Sequence, residues 1–280
     1  MKIHPAPRQL MDGILLGESP RWHDGKLWFA DWVGQRLYTL NEQGRSVIEA
    51  EIASLPFSID WLADGTLLVV HAAAKELQRR EPDGRFTRLA DLSPLSDFGS
   101  NEIVVDGRGN IYVNNINFDF PGGEFRPGFI ALVSPDGAAR KVADDLAFPN
   151  GMTVTPDGKT LICAESYNGN LTAFDIEPNG SLGNRRLWAK IDGQGADGIC
   201  MDVEGCVWAS SGPRCLRIRE GGEVLEEVPL DRMAFACTLG GADGRTLFIT
   251  ANEWTGSVDV ETPTGRIFAA RVDVPRAGYP

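Results

Sequence analysis

The chain predicts an all-β protein, a six-bladed β-propeller with four strands in each blade, and three observations carry that expectation. An acidic-Gly turn between two apolar strands recurs six times, in RWHDGKLWFADW, IDWLADGTLLVVH, IVVDGRGNIYVNN, MTVTPDGKTLICAES, ICMDVEGCVWASS and CTLGGADGRTLFITA. A second turn series follows the first at every repeat, so each unit of about 42 residues holds two hairpins. No segment keeps a helical period between caps, which excludes the eight helices of a TIM barrel.

The elements follow in order. The first-turn glycines are Gly25, Gly65, Gly107, Gly158, Gly205 and Gly244, spaced 40, 42, 51, 47 and 39 residues apart. The second-turn glycines are Gly44, Gly84, Gly137, Gly180, Gly222 and Gly265, spaced 40, 53, 43, 42 and 43 apart. Glycine supplies the positive φ that tight hairpins require. The long interval in the third repeat comes from FDFPGGEFRPG at 118–128, a Gly- and Pro-rich insertion expected to form a loop over one end of the channel. Residues around MDGILLG, ahead of the first repeat, are expected to add a strand to the last blade and close the ring, which removes its open edges. The whole of 1–280 is then one domain.

Composition narrows the function classes. The 27 basic and 39 acidic residues leave a net charge of −12, which opposes binding to nucleic acid or to anionic lipid, since both need a Lys/Arg surface. Hydrophobic residues make up 42% of the chain, enough for a globular core rather than long disorder. No stretch approaches the ~20 apolar residues of a membrane span. The N-terminal segment lacks the apolar centre of a secretory signal, so a cytoplasmic location is expected. Five cysteines, Cys163, Cys200, Cys206, Cys215 and Cys237, form no CxxC and are odd in number, which predicts buried free thiols rather than a disulfide scaffold. Nothing in the sequence implies a protein partner; a small-molecule substrate is the expected one.

Repeats also locate the chemistry, because equivalent positions in a propeller lie on a circle around its axis. The residue five to seven places before each first-turn acid begins the innermost strand: Glu18, Ser58, Asn101, Asn150, Asp197 and Cys237. Polar strand starts could simply be solvated at the channel mouth. Two carboxylates and two carboxamides converging on one axis nevertheless suit a hard divalent cation, Ca²⁺, Mg²⁺ or Mn²⁺, better than structural zinc. The expected architecture is thus a propeller around an axial metal channel. A serine or cysteine triad is not expected: Ser58 lacks a GxSxG elbow, and no histidine has a sequence context that pairs with Cys237.

The sequence resembles the senescence marker protein/gluconolactonase/luciferin-regenerating-enzyme family, the regucalcin-like proteins, and more distantly the paraoxonases. The resemblance rests on GESPRW with a following LWFAD, SNEIVVDGRGNIYV, FPNGMTVTPDGKTLICAESYNGNLTAFD, ADGICMDVEGCVWAS, GGADGRTLFITA and GRIFAARV, in the expected order over nearly the whole chain. It implies one divalent metal held by Glu18, Asn150 and Asp197, with Ca²⁺ the first candidate and Mg²⁺, Mn²⁺, Zn²⁺ or Fe²⁺ open, and Asn101 near metal and substrate.

The same resemblance implies hydrolysis of a lactone: the metal polarises the ring carbonyl, a water attacks, and Asp197 is the expected base and proton shuttle. Esterase, organophosphatase or non-hydrolytic ring-opening and isomerising chemistry at the same metal are alternatives, as is a non-catalytic calcium-binding or interaction propeller. One departure stands out. Sugar-lactone members often carry Arg two places before the blade-three asparagine and Asp after it; here those places hold Gly99 and Glu102. Glu102 remains able to accept a bond from a substrate hydroxyl, and His71 is a candidate channel-facing group. Phe120 and Trp254, among several aromatic residues near channel loops, tilt the expected substrate toward a lactone less polar than an aldonolactone, with the 118–128 loop as a lid.

Overall fold

A computed structural model of the protein describes all residues except 194, 257–260 and 278–280. Six antiparallel four-stranded sheets form its blades, and among the described residues no helix is long and apolar enough to cross a membrane. The innermost strands are Gly17–His23, Phe57–Trp61, Ile103–Val105, Pro149–Val154, Ile199–Met201 and Met233–Gly240, one per blade in chain order. Each touches the next, and the sixth returns to the first, so the sheets stand in a closed ring. Within every blade the chain steps outward strand by strand, so the first and third hairpin turns fall on one face, and the second turn falls on the other face with the connections between blades.

Packing explains why the ring needs all six sheets. The apolar core is divided into six clusters, each formed where one blade faces the next. Blades one and two share Phe29's neighbours Ala30 and Leu37 with Phe57, Ile59 and Val69; blades four and five share Ile162 and Leu171 with Met201 and Val207. A single blade therefore has no core of its own, and burial comes only from stacking. All five cysteines are free and buried within these layers.

Closure is achieved as the sequence suggests, and then exceeded. Arg8–Ile14 forms the outermost strand of blade six, paired antiparallel with Gly265–Arg271. Lys2–Ile3 adds a fifth strand to blade five, parallel to Val224–Pro229. His4 then inserts its Nε2 2.6 Å from Glu226, whose other oxygen meets Arg217 at 3.2 Å, so the first residues are pinned by a buried polar network. Ile14 is fully buried among Leu27, Phe29, Phe248 and Ile267, the seam of blades six and one. Ile14→Ala should cost about 2–5 kcal/mol, the range for an aliphatic truncation in a tight core, and a urea titration with an unchanged midpoint would show that the seam does not hold the ring.

Two turn assignments need correction. In blade three the residue at positive φ is Gly109 (φ 81°), not Gly107, because the Asp106 carbonyl accepts the Gly109 N–H at 3.0 Å and the turn closes two residues later. Gly265 is not a hairpin turn either: it lies in the third strand of blade six opposite Ile14, where an added Cβ would stand 2.7 Å from the Ile14 carbonyl oxygen. Its missing side chain is what lets the closing strand approach.

Candidate active site

The axial positions come together because the innermost strands all start from the face that carries the longer connections. Glu18 is the second residue of its strand and only 4% exposed. A bulge follows it, with Ser19 at φ +47°, and shifts the strand so that Arg21 also turns inward. The Arg21 guanidinium donates to Glu102 Oε1 at 2.9 Å and to the Ile103 carbonyl at 2.8 Å, both in blade three. Below the mouth the channel narrows to a space lined by Arg21, Glu102, Met152, Ile199, Ala236 and Cys237, residues drawn from five blades.

Asp197 and Asn150 are knit into the same wall. The Asp197 N–H donates to Ser210 and its own carbonyl accepts from Gly151, while the Asn150 carboxamide hydrogen-bonds to the Asp197 carboxylate. Asn150 also donates to Ser166 Oγ at 3.2 Å, and that hydroxyl donates to the Ala196 carbonyl at 2.8 Å. Asn114 reaches across to the Asn150 carbonyl at 2.6 Å and so joins blade three to blade four.

Electrostatically this wall is overloaded with acid. Burial pushes the Glu18 carboxyl well above its ordinary range, and the neighbouring Asp197 and Glu102 charges push it further. Asp197 is pushed up to about 8, first by burial and then by Glu102, against the pull of its bond from Asn150. Asp60, deeper in blade two, is raised to about 6 by burial although Arg21 opposes this. Glu18, Asp60 and Glu102 thus share the charge of Arg21, and Asp197 Oδ1 is buried with no hydrogen-bond partner among the described residues. Such an orphan costs about 1–3 kcal/mol or more when charged. A hard divalent cation would offset that cost, and two carboxylates with a carboxamide are the oxygen donors it prefers. Among the described residues no group of three His, Cys, Asp or Glu side chains is placed to hold a metal ion, so any cation here would need the Asn150 carboxamide beside the two carboxylates.

The remaining predicted residues fall at different depths. Asn101 is buried beside the axis, its backbone fixed by a bond to the Asn114 carbonyl at 2.8 Å and by Ser58 Oγ on its own carbonyl at 2.5 Å. Glu102 is buried and committed to Arg21 and to the Ile103 N–H at 2.8 Å. His71 ends the second strand of blade two, half-buried, with Nδ1 accepting the Ala74 N–H at 3.1 Å. Trp254 is half-buried on the loop after the second strand of blade six and meets Phe235 edge to face at 5.6 Å. Cys237 turns its thiol toward the Gly198 and Trp208 carbonyls between blades five and six; opposite Thr250 it is Ala236 that occupies the register. Gly99 leaves no room for a side chain, since a Cβ there would lie 2.6 Å from both the Cβ and the carbonyl oxygen of Ala72.

Sequence reasoning missed Arg21, Asp60 and Ser166, and left Asn114 as either a polar contact or a loop residue. Asp60 was detectable, because period-two alternation places it inward two residues after Ser58. Arg21 was not, since only the bulge turns it in. Glu165 is fully buried at the end of a second strand, where it accepts the Ala147 N–H at 2.6 Å and bonds with Thr172 and Asn168. Asp31, at the equivalent place in blade one, accepts the Leu16 and Gly34 N–H groups at 2.9 and 3.1 Å. These strand-end acids pin the loops that frame the mouth.

A six-bladed ring whose channel mouth gathers buried acids and a carboxamide defines a propeller with an axial oxygen-donor site. The chain belongs to the SMP-30/gluconolactonase/LRE-like family, whose region matches residues 16–253. It is 27% identical over 279 residues to the 6-deoxy-6-sulfogluconolactonase of Pseudomonas putida, covering 95% of this chain and 94% of that one. With the regucalcin of Gallus gallus it shares 31% identity over 253 residues, 86% and 84% of the two chains. The solved structure of a calcium-binding protein, regucalcin, from Agrobacterium tumefaciens superposes with a TM-score of 0.82 at 23% identity, over 99% of this chain and 97% of that one.

Proposed function

We propose that the protein hydrolyses lactones with the help of one divalent cation held by Glu18, Asn150 and Asp197. The observation that carries this is the orphaned Asp197 Oδ1, buried beside Glu18 and a carboxamide in a chain of a lactonase-containing family. When bound, the cation supplies Lewis-acid polarisation of the lactone carbonyl.

The chain's own groups supply the rest. Asp197 takes a proton from the attacking water as its oxygen adds to the carbonyl carbon. It returns that proton to the ring oxygen as the ester C–O bond breaks, leaving a hydroxy acid with no atom unaccounted for. Asn150 orients the Asp197 carboxylate through their hydrogen bond. Asn101, its backbone tied to blades two and three, stands ready to orient the substrate, with His71, Phe120 and Trp254 on the approach. Glu102 acts by holding Arg21, which tempers the negative charge beneath the site.

Acid release from a panel of aldonolactones, aliphatic γ- and δ-lactones and an aromatic lactone tests this. Protein stripped with chelator should be inactive, and refilling with Ca²⁺, Mg²⁺, Mn²⁺, Zn²⁺ or Fe²⁺ should restore turnover. Tight metal binding with silence across the panel would leave a calcium-binding propeller without hydrolase activity.

A further inference from the structure

We infer that the channel mouth selects lactones bearing a flat apolar substituent, such as an aryl group, over polyhydroxylated sugar lactones, and that an aromatic cage between blades three and four makes the selection. This rests on the lactone-hydrolase reading and names its substrate class.

The cage is a set of five rings. Phe118 is buried at its centre and packs edge-on against Phe120, Phe125 and Phe148 at 6.4, 5.7 and 5.7 Å, with Tyr167 tilted at 5.9 Å. Tyr167 also meets Phe148 at 4.8 Å and Phe125 at 5.6 Å. Three of the rings stay open to solvent: Phe120 at 43%, Phe125 at 46% and Tyr167 at 52%. The Phe118, Phe120 and Phe125 rings come from the long insertion, whose base is closed by Asn117 Nδ2 donating to the Pro127 carbonyl at 3.0 Å.

What ties the cage to the chemistry is its attachment. Phe148 lies two residues before Asn150, and Tyr167 directly follows Ser166, the hydroxyl that accepts from Asn150. The Ser166 N–H donates to the Phe148 carbonyl at 3.0 Å and the Tyr167 N–H to the Ala147 carbonyl at 3.2 Å. Phe148 itself sits at φ +64°, a conformation that bulky side chains adopt only when surroundings impose it. The buried Glu165 grips the preceding Ala147 N–H at 2.6 Å, and the Phe148 N–H donates to the Leu146 carbonyl at 3.1 Å. A residue of strained backbone is therefore tied through its carbonyl to Ser166, whose hydroxyl accepts from Asn150.

Loss of polar recognition points the same way. Of the two blade-three places that would greet substrate hydroxyls, Gly99 has no space for any side chain, and Glu102 gives its Oε1 to Arg21 and to the Ile103 N–H. Apolar and aromatic faces bind flat apolar groups, and polyols need many donors and acceptors, of which the cage side chains offer one, the Tyr167 hydroxyl.

The test compares wild type with Phe125→Ala/Tyr167→Ala, two exposed rings whose removal should leave the melting temperature nearly unchanged. Kinetics are measured on a phenyl-substituted δ-lactone, unsubstituted δ-valerolactone and glucono-δ-lactone, and calorimetry follows binding of the phenyl-substituted lactam, which resists hydrolysis. The wild type should prefer the phenyl lactone, and the double variant should raise its KM by about 10–200-fold, the worth of hydrophobic pocket contacts, with δ-valerolactone turnover unchanged. Lactam affinity should fall in parallel. Preference for the sugar lactone, or a variant that keeps both phenyl-lactone KM and lactam affinity, overturns the inference. A ring-dependent lactam affinity with no lactone hydrolysed upholds the cage and sinks the hydrolase reading instead. Should light scattering show a wild-type dimer that the variant loses, with lactam affinity intact, the rings are an interface between copies and the inference falls.

Discussion

Asp197→Ala is expected to lower lactone turnover by about 10²–10⁴-fold, the usual worth of a positioned general base, and to weaken divalent-metal binding in the same protein. Both losses follow from the double role proposed for this side chain, metal donor and proton carrier. Stability should move the other way. In the stripped protein Asp197 brings a buried oxygen with no partner and faces Glu18 and Glu102. Asp197→Asn removes that charge while keeping the shape, so the stripped variant should unfold at a higher temperature than stripped wild type, a trade of stability for function. Calorimetric metal titration, turnover and thermal melts on the two variants check all three parts. Near-normal turnover with metal bound in Asp197→Ala would remove this residue from the mechanism.

The second large effect belongs to Arg21. Arg21→Leu leaves Glu102 buried without its 2.9 Å partner and Asp60 without the guanidinium that restrains it. Breaking a buried ion pair from one side typically costs about 3–5 kcal/mol, which would be a large part of the stability of most domains. Replacing both partners, Arg21→Leu with Glu102→Leu, should recover much of that loss, because no charge is then stranded. Denaturant unfolding of the two single variants and the double variant yields the coupling directly. If Arg21→Leu proved as stable as wild type, the guanidinium would not be the counter-ion of the axis.

How much of this was legible in the chain depended on whether a signal was local. Turn glycines marked the blades, and counting back from them found Glu18, Ser58, Asn101, Asn150 and Asp197 at the starts of innermost strands. Asp106-Gly-Arg-Gly109 offers two glycines, and only the closing hydrogen bond selects the second. Bulges defeated counting elsewhere: one after Glu18 brings Arg21 inward, and one between Ala234 and Ala236 offsets Cys237 from the register of its neighbours. The aromatic cage was half visible. The insertion announced itself by length, yet Tyr167 joins Phe118 only because blade four stacks on blade three, a contact no sequence period encodes.

The strand that closes the ring is made before any blade and paired last. Arg8–Ile14 must wait for Gly265–Arg271, so on a ribosome the segment emerges more than two hundred residues before its partner exists. Until then blade one has no sixth sheet to pack against, each newly finished sheet offers an outer edge, and the unpaired leading strand is a ready mate for such an edge. A nascent chain of this kind gains its most sequence-distant strand pairing in the final step, which makes late synthesis the moment of greatest exposure to mispairing.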